Sequence, residues 1–136
     1  MHRTILLTFV LFTVAVGCRE QSHVPTSEDT MSYTLDVSGE RTVPNPTEAD
    51  IRTAVFALDT TKNAAFLILG QTKMTYIQTS GDTKAGFELE YQESDVKHHY
   101  RAKRRFTADE IVKALVSYMS GTAEWKQMTE WEPIKW

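Results

Sequence analysis

Two adjacent histidines, His98 and His99, are the residues in this chain whose type most directly suggests chemistry. An imidazole can bind a metal ion or act as a general base near neutral pH. The surrounding stretch VKHHYRA, residues 96–102, alternates in the way typical of a β-strand. Neighbouring side chains on a strand point to opposite faces of the sheet, so we do not expect the two histidines to chelate one ion together.

The same alternation predicts which side chains each histidine accompanies. His98 is expected on the face that carries Val96 and Tyr100. His99 is expected with Lys97 and Arg101. The preceding strand, residues 86–92, would place Glu88 and Glu90 opposite this second group, and opposite charges on neighbouring strands stabilise a sheet by about 0.2–1 kcal/mol per pair. An ordinary solvated sheet face therefore explains most of these charges.

His98 is the residue that a solvated face explains least well, because its expected neighbours are apolar. Two interpretations stay open. A hydrogen-bonded histidine in the core is the favoured one. The alternative is a small-ligand or catalytic site that uses His98 with Tyr100 or Glu90.

Residues 97–105, which overlap this stretch, form a basic segment with five Lys or Arg side chains and no acid. It predicts either a solvated strand end or a surface for an anionic partner, such as an acidic protein surface or lipid headgroups. Tryptophan is enriched at protein interfaces, so Trp131 is a further candidate, whereas Trp125 is expected in the core. The candidate binding residues are Lys97, His98, His99, Arg101, Lys103, Arg104, Arg105 and Trp131.

The motifs that the sequence lacks favour binding over catalysis. It contains no P-loop, no G-x-G-x-x-G, no H-E-x-x-H and no G-x-S-x-G. No nucleophile, base and orienting group come together, so we expect no catalytic residue, metal or cofactor. The net charge of −3 and the scarcity of aromatic residues near the basic segment argue against nucleic acid as a partner.

The elements that position these residues can be predicted from periodicity. Residues 45–59 are expected to form a helix, with Asn45 as its cap, Pro46 in its first turn and Glu48 closing a capping box. A second helix is expected to begin at Thr107, with Glu110 closing its box, and to end at Gly121. Strands are expected at 64–69, 74–79, 86–92 and 96–102, and a hairpin is possible from residue 33 onward.

This order predicts an α+β fold: a four-stranded antiparallel meander with one helix before it and one after it, both on one face. Hydrophobic residues make up 41% of the chain, as expected for a folded globule.

The amino terminus contains the chain's one cysteine. A short basic start, Met1-His2-Arg3, precedes an apolar run from residue 5 to residue 16, which is typical of a secretory signal. Ala15-Val16-Gly17-Cys18 resembles the lipobox of bacterial lipoproteins. That resemblance implies cleavage before Cys18 and acylation of its thiol, whereas a plain signal peptide with an incidental cysteine is the alternative.

The resemblance also implies an address in the cell envelope, on a membrane and facing the periplasm. Arg19, rather than Asp, follows the cysteine and favours the outer membrane where the host has one. The expected organisation is a signal peptide over 1–17, the lipidated cysteine with a polar tether and possible hairpin over 18–44, and a globular domain over 45–136. The sequence does not determine the oligomeric state.

The domain itself resembles the small immunity-protein domains of bacterial polymorphic toxin systems, over roughly residues 33–131. The resemblance lies in SGERTVPNPTEADIRTAV, the strand meander, and HHYRA leading into a capped helix that ends at Gly121. It implies a non-enzymatic inhibitor. The leading hypothesis is thus a lipid-anchored, non-catalytic protein-binding module, and the rivals are the His98 site and a purely structural envelope lipoprotein.

Overall fold

The structure is a computed structural model that describes residues 31–62 and 65–135. Its strands are β1 (Thr34–Val37), β2 (Arg41–Pro44), β3 (Phe66–Thr72), β4 (Thr75–Asp82), β5 (Gly86–Gln92), β6 (His99–Ala102) and β7 (Trp131–Pro133). Its helices are α1 (Glu48–Ala57) and α2 (Ala108–Met119), together with two short 3-10 helices, Val96–His98 and Glu124–Met128. The proposed signal peptide and Cys18 lie outside the described residues.

The strands form one seven-stranded antiparallel sheet in the order β2-β1-β3-β4-β5-β6-β7. The prediction of a four-stranded meander is therefore wrong. The four expected strands occupy the centre as β3 to β6, while the amino-terminal hairpin adds two strands beside β3 and the carboxyl-terminal segment adds β7 beside β6. These extra pairings, such as Leu35 with Leu69 and Trp131 with Ala102, join segments that local sequence patterns do not connect.

Both α-helices of the described chain pack on the same face of the sheet. Helix α1 contacts β4, α2 contacts β4 and β5, and the two helices contact each other. Fully buried side chains from both layers, including Ile51, Leu69, Phe87 and Leu115, fill the space between them. This hydrophobic core fixes one face of the sheet, and no helix of residues 31–62 or 65–135 packs on the other face.

The start of α1 differs from the expected one. Thr47, not Asn45, is the N-cap, and the capping box forms with Asp50 rather than Glu48. Asn45 has a φ of 47°, a left-handed conformation that is incompatible with a helix cap. The chain therefore turns at Asn45 and Pro46 before the helix begins.

Helix α2 confirms its predicted ends. The Thr107 hydroxyl accepts from the Glu110 N–H, and the Glu110 carboxylate accepts from the Thr107 N–H. At the other end, Gly121 takes a φ of 71° and its N–H donates to the Tyr118 carbonyl, while Thr122 N–H donates to the Ser117 carbonyl. This is the hydrogen-bond pattern of a Schellman motif.

The strand expected over 96–102 is shorter than its alternation suggested. Residues Val96–His98 form a 3-10 helix, and β6 begins only at His99. The Asp95 carboxylate causes this by accepting from the Lys97 N–H at 2.8 Å and contacting His98 Nδ1 at 3.0 Å. An Asp side chain that binds the backbone two residues on favours a turn over a strand.

The outermost strands are short and each ends in a proline, Pro44 in β2 and Pro133 in β7. Proline lacks the N–H that a further strand would need, so both edges resist extension of the sheet. No helix in the described part of the chain is long and apolar enough to cross a membrane.

Candidate functional site

The sheet face opposite the helices carries an ordered set of polar side chains, which we call the open sheet face. Its register follows directly from strand pairing, because directly opposed residues in a sheet point to the same side. One row runs across the sheet through Asp36, Ile68, Gln78, Glu90, Arg101 and Glu132. A second row contains Thr34, Gly70, Tyr76, Gln92 and His99.

Glu90 is the centre of this face. Its side chain is only 14% exposed, and three neighbours surround it. Arg101 Nε donates to Oε1 at 2.8 Å, Gln78 Nε2 donates to Oε2 at 2.7 Å, and His99 Nε2 lies 3.2 Å from Oε2. A carboxylate held by this many groups has a fixed position.

Tyr76 and Gln92 extend the arrangement beside His99. The rings of Tyr76 and His99 meet edge to face with centroids 6.1 Å apart, and Tyr76 OH lies 3.4 Å from Gln92 Oε1. Gln92 Nε2 donates to the Met74 carbonyl at 3.2 Å. Burial, and secondarily the charge of Glu90, raises the pKa of the Tyr76 hydroxyl, so Tyr76 stays neutral at physiological pH.

A second carboxylate, Glu88, lies on the same face and is less enclosed. Arg105 Nη2 donates to Glu88 Oε1 at 2.9 Å, and Arg105 Nη1 also donates to the Ala85 and Gly86 carbonyls. Several acids raise the pKa of the Arg101 guanidinium. The hydrogen bond and the charge of Glu90 have the largest effect, and the charges of Glu88 and Glu132 add to it. The carboxylates therefore set a negative potential around Arg101.

Two shallow grooves lie on this face and share Ile68 as a wall. The central groove, of about 280 Å³, is lined by Phe66, Ile68, Gln78, Thr79, Ser80, Glu88 and Glu90. The outer groove, of about 550 Å³, is lined by Thr34, Asp36, Ile68, Gly70, Gln71, Thr72, Lys73 and Tyr76. Since the two are open and adjacent, the face suits contact with an extended surface better than enclosure of a small molecule.

Gly70 shapes the floor between the strands. A Cβ at this position would lie 3.1 Å from the Thr72 carbonyl oxygen and 3.2 Å from Tyr76 Cβ. The pairing of β3 with β4 also shifts register between Gly70 and Thr72. The absence of a side chain at Gly70 therefore lets Tyr76 lie close to the backbone of β3.

The polar side chains at the centre of the open sheet face hold one another in position. Among the described residues, no group of three or more His, Cys, Asp or Glu side chains could hold a metal ion. The Glu90 carboxylate accepts hydrogen bonds from Gln78 and Arg101.

The basic segment is largely neutralised by neighbouring acids. Arg101 pairs with Glu90 and Arg105 with Glu88, both on the open sheet face. On the rim, Lys103 pairs with Glu130 at 2.9 Å and Arg104 with Glu110 at 3.0 Å. Lys97 lies on the exposed 3-10 helix outside these pairs. The segment therefore holds acids in place more than it offers free positive charge.

The two histidines differ in burial from what the sequence predicted. His98, expected among apolar neighbours, is 55% exposed and contacts Asp95. His99, expected on the charged face, is on that face beside Glu90, but is 4% exposed. The interpretation of His98 as a core histidine is wrong, because the Asp95 turn moves residues 96–98 out of the strand. His98 lines neither groove.

Trp131 is part of an aromatic cluster rather than a free anchor. It meets Tyr91 and Trp125 edge to face, with centroids 4.8 Å and 5.7 Å apart, and its Nε1 donates to the Lys126 carbonyl at 2.9 Å. Trp125 is buried, as the sequence predicted. The cluster lies on the helix side of the sheet, since Trp131 pairs with the buried Ala102.

Sequence reasoning missed Ile68, Tyr76 and Gln78 as parts of a site. Residues 75–80, TYIQTS, do alternate, with the larger polar side chains Tyr76 and Gln78 on one face. That signal was available, but the partner positions on β3 and β5 that complete the face depend on sheet register.

Comparison with known proteins adds no relative: no family model, no curated protein and no solved structure matches this chain significantly.

Proposed function

We propose that this protein is a lipid-anchored protein of the cell envelope that binds another protein without catalysing a reaction. It would be attached to the membrane, with the outer membrane favoured, through acyl chains on Cys18. The open sheet face would be the binding surface. The observation that carries this proposal is a sheet face on which no described helix packs and whose central carboxylate, Glu90, is already held by Arg101 and Gln78.

Preorganisation is the physical reason to assign binding to this face. Ordering mobile side chains at an interface costs roughly 0.5–1.5 kcal/mol for each one immobilised. Glu90 and Arg101 bear less of that cost, because they hold each other before a partner arrives. The half-buried Ile68, at the wall between both grooves, adds apolar area at the centre of the surface.

This assignment changes the role of the residues that the sequence singled out. Arg101, His99 and Arg105 belong to the binding surface, where they orient Glu90 and Glu88. Lys103 and Arg104 flank it in rim ion pairs. An inhibitory role, as in immunity domains, would follow if the bound protein were blocked at its own active site.

The lipid anchor has a direct test. An intact mass of the protein extracted from membranes should show a chain that begins at Cys18 and carries acyl groups. A soluble, unmodified chain that still begins at Met1 would overturn the envelope address.

The binding surface can be tested by site-specific photocrosslinking in living cells with the full chain. A benzophenone amino acid at Ser80 or Thr34 would report on the open sheet face, and the same residue at Lys113, exposed on α2, is the matched control. We expect the same discrete adduct from Ser80 and Thr34 and none from Lys113. Adducts from Lys113 alone, or none from Ser80, would overturn the assignment.

A further inference from the structure

The central groove combines an apolar floor with an acidic wall. Phe66 and Ile68 are half-buried hydrophobic residues, and Glu88 and Glu90 lie beside them. None of the described residues that line this groove is basic, because Arg101 and Arg105 reach the two carboxylates from outside it. A long aliphatic stem that ends in a cation is the chemical complement of such a surface, since Lys and Arg bury their stems and keep their charged ends at polar groups.

The groove also has unused hydrogen-bond acceptors. Glu88 Oε1 receives Arg105, whereas no described residue donates to Glu88 Oε2, although a carboxylate can accept about four hydrogen bonds. Gln78 uses its amide nitrogen on Glu90 and keeps its oxygen available as an acceptor. An ammonium group has three donors and no acceptor, which matches this set of atoms.

From this geometry we infer that the protein partner inserts a lysine or arginine side chain into the central groove, between Ile68 and Glu88. The inference rests on the proposed function and names the chemistry of its partner. A bare divalent cation fits less well, because it would require more oxygen ligands than two carboxylates that are already paired can provide.

The first experiment uses the purified full chain, uniformly labelled with ¹⁵N, and small probes followed by amide chemical shifts. The probes are n-butylammonium and n-butylguanidinium, with 1-butanol as the neutral molecule of the same length. We expect saturable shifts at Ile68, Gln78 and Glu88 with the two cations, weaker binding in higher salt, and little response to 1-butanol. Equal responses to 1-butanol and n-butylammonium, or shifts that avoid the groove, would overturn the inference.

A pair of matched variants tests the role of charge. Glu88→Gln keeps the shape of the side chain and removes one negative charge from the groove. Glu132→Gln removes one negative charge from the same sheet face, at a position outside the groove. We expect Glu88→Gln to weaken n-butylammonium binding about threefold to fivefold and Glu132→Gln to weaken it less than twofold, roughly as for exposed ion pairs. Equal losses would show attraction by the general field alone and would contradict a specific groove.

The crosslinking experiment separates this inference from the proposed function. If Ser80 gives its adduct, mass spectrometry should place the attachment within a few residues of a Lys or Arg of the partner. If the adduct forms far from any Lys or Arg of the partner, the cationic contact is overturned. It is also overturned if the adduct forms but n-butylammonium does not bind the purified chain. In both cases the proposal that the open sheet face binds a protein still stands. Binding of n-butylammonium without an adduct overturns the protein partner and leaves a groove for free amines.

Discussion

Glu90 and Arg101 lie directly opposite each other on β5 and β6, and Arg101 Nε donates to Glu90 Oε1 at 2.8 Å. The two side chains differ in exposure, with 14% of Glu90 and 48% of Arg101 accessible to solvent. The Glu90 carboxylate has lost most of its hydrogen bonds to water, and those from Arg101 and Gln78 replace them. The Arg101 guanidinium can still be hydrated. Such a half-buried pair should contribute more than a fully exposed one.

The first prediction concerns the strength of this pair. In a double-mutant cycle with Glu90→Gln and Arg101→Met, we expect a coupling energy of about 1 kcal/mol. Lys103 and Glu130, which are 50% and 81% exposed, form the comparison pair and should couple by less than about 0.5 kcal/mol. Urea unfolding of the four variants of each cycle measures both values. Equal coupling energies would contradict the role of burial.

The sequence correctly predicted those helix ends that are set by residues close to them in the chain. The ends of α2 follow from Thr107, Glu110 and Gly121, which are within a few residues of the backbone groups that they satisfy. The start of α1 was misplaced because two capping boxes compete in NPTEAD, and the left-handed turn at Asn45 decides between them. The local pattern contained both options but did not rank them.

The site was only partly accessible from sequence. Strand alternation predicted Glu88 and Glu90 opposite a group of Lys97, His99 and Arg101. The register places Arg101 opposite Glu90, whereas Lys97 lies outside the strand. The exposed position of His98 was not predicted, because the Asp95 side chain accepts a backbone hydrogen bond that breaks the strand alternation. The grooves require β3 beside β4, and the full sheet requires the amino-terminal hairpin beside β3, both of which are contacts that periodicity does not encode.

The second prediction concerns acid stability and Asp82. Its carboxylate accepts from the Thr60 hydroxyl and from the N–H groups of Ala85 and Lys84, and these bonds, in that order, lower the pKa of Asp82 from 3.8 to about 2. A lowered pKa in the folded state stabilises the protein above the unfolded pKa. That stabilisation is lost as the pH falls from about 4 to about 2.

Asp82→Asn should therefore lower the melting temperature at pH 7 and flatten its fall between about pH 4 and about pH 2. Glu40→Gln is the control, because this substitution also removes one negative charge, but from an exposed side chain. Circular dichroism melts across this pH range provide the comparison. If Asp82→Asn keeps the steep acid slope of the parent chain, Asp82 does not cause it.

The third prediction concerns Gly81, near the carboxyl end of β4. Gly81 has a φ of 131°, and a Cβ there would collide with the Gly86 carbonyl oxygen and lie 3.0 Å from Phe87 Cα. Gly121 also has a positive φ, 71°, but a Cβ there would meet open space. Gly81→Ala should therefore cost more than about 3 kcal/mol, and Gly121→Ala about 1 kcal/mol. Urea unfolding that gives similar losses would contradict the steric argument.

The last prediction separates folding from binding in the tryptophan cluster. Trp125 is buried and touches Tyr91, Tyr118 and Trp131, whereas Trp131 is half-buried at the edge of the same cluster. Trp125→Ala should cost about 3–5 kcal/mol of unfolding free energy, and Trp131→Ala less, about 2 kcal/mol.

Because Trp131 lies on the helix side of the sheet, the Trp131→Ala chain that remains folded should still give the Ser80 crosslink. Fluorescence-detected urea unfolding and the photocrosslinking assay on the same variants measure the two properties. Loss of the adduct in a Trp131→Ala chain shown to be folded would move the binding surface to the other face. Retention of the adduct, with the stability reduced, would identify Trp131 as a residue that supports β7 behind the open sheet face.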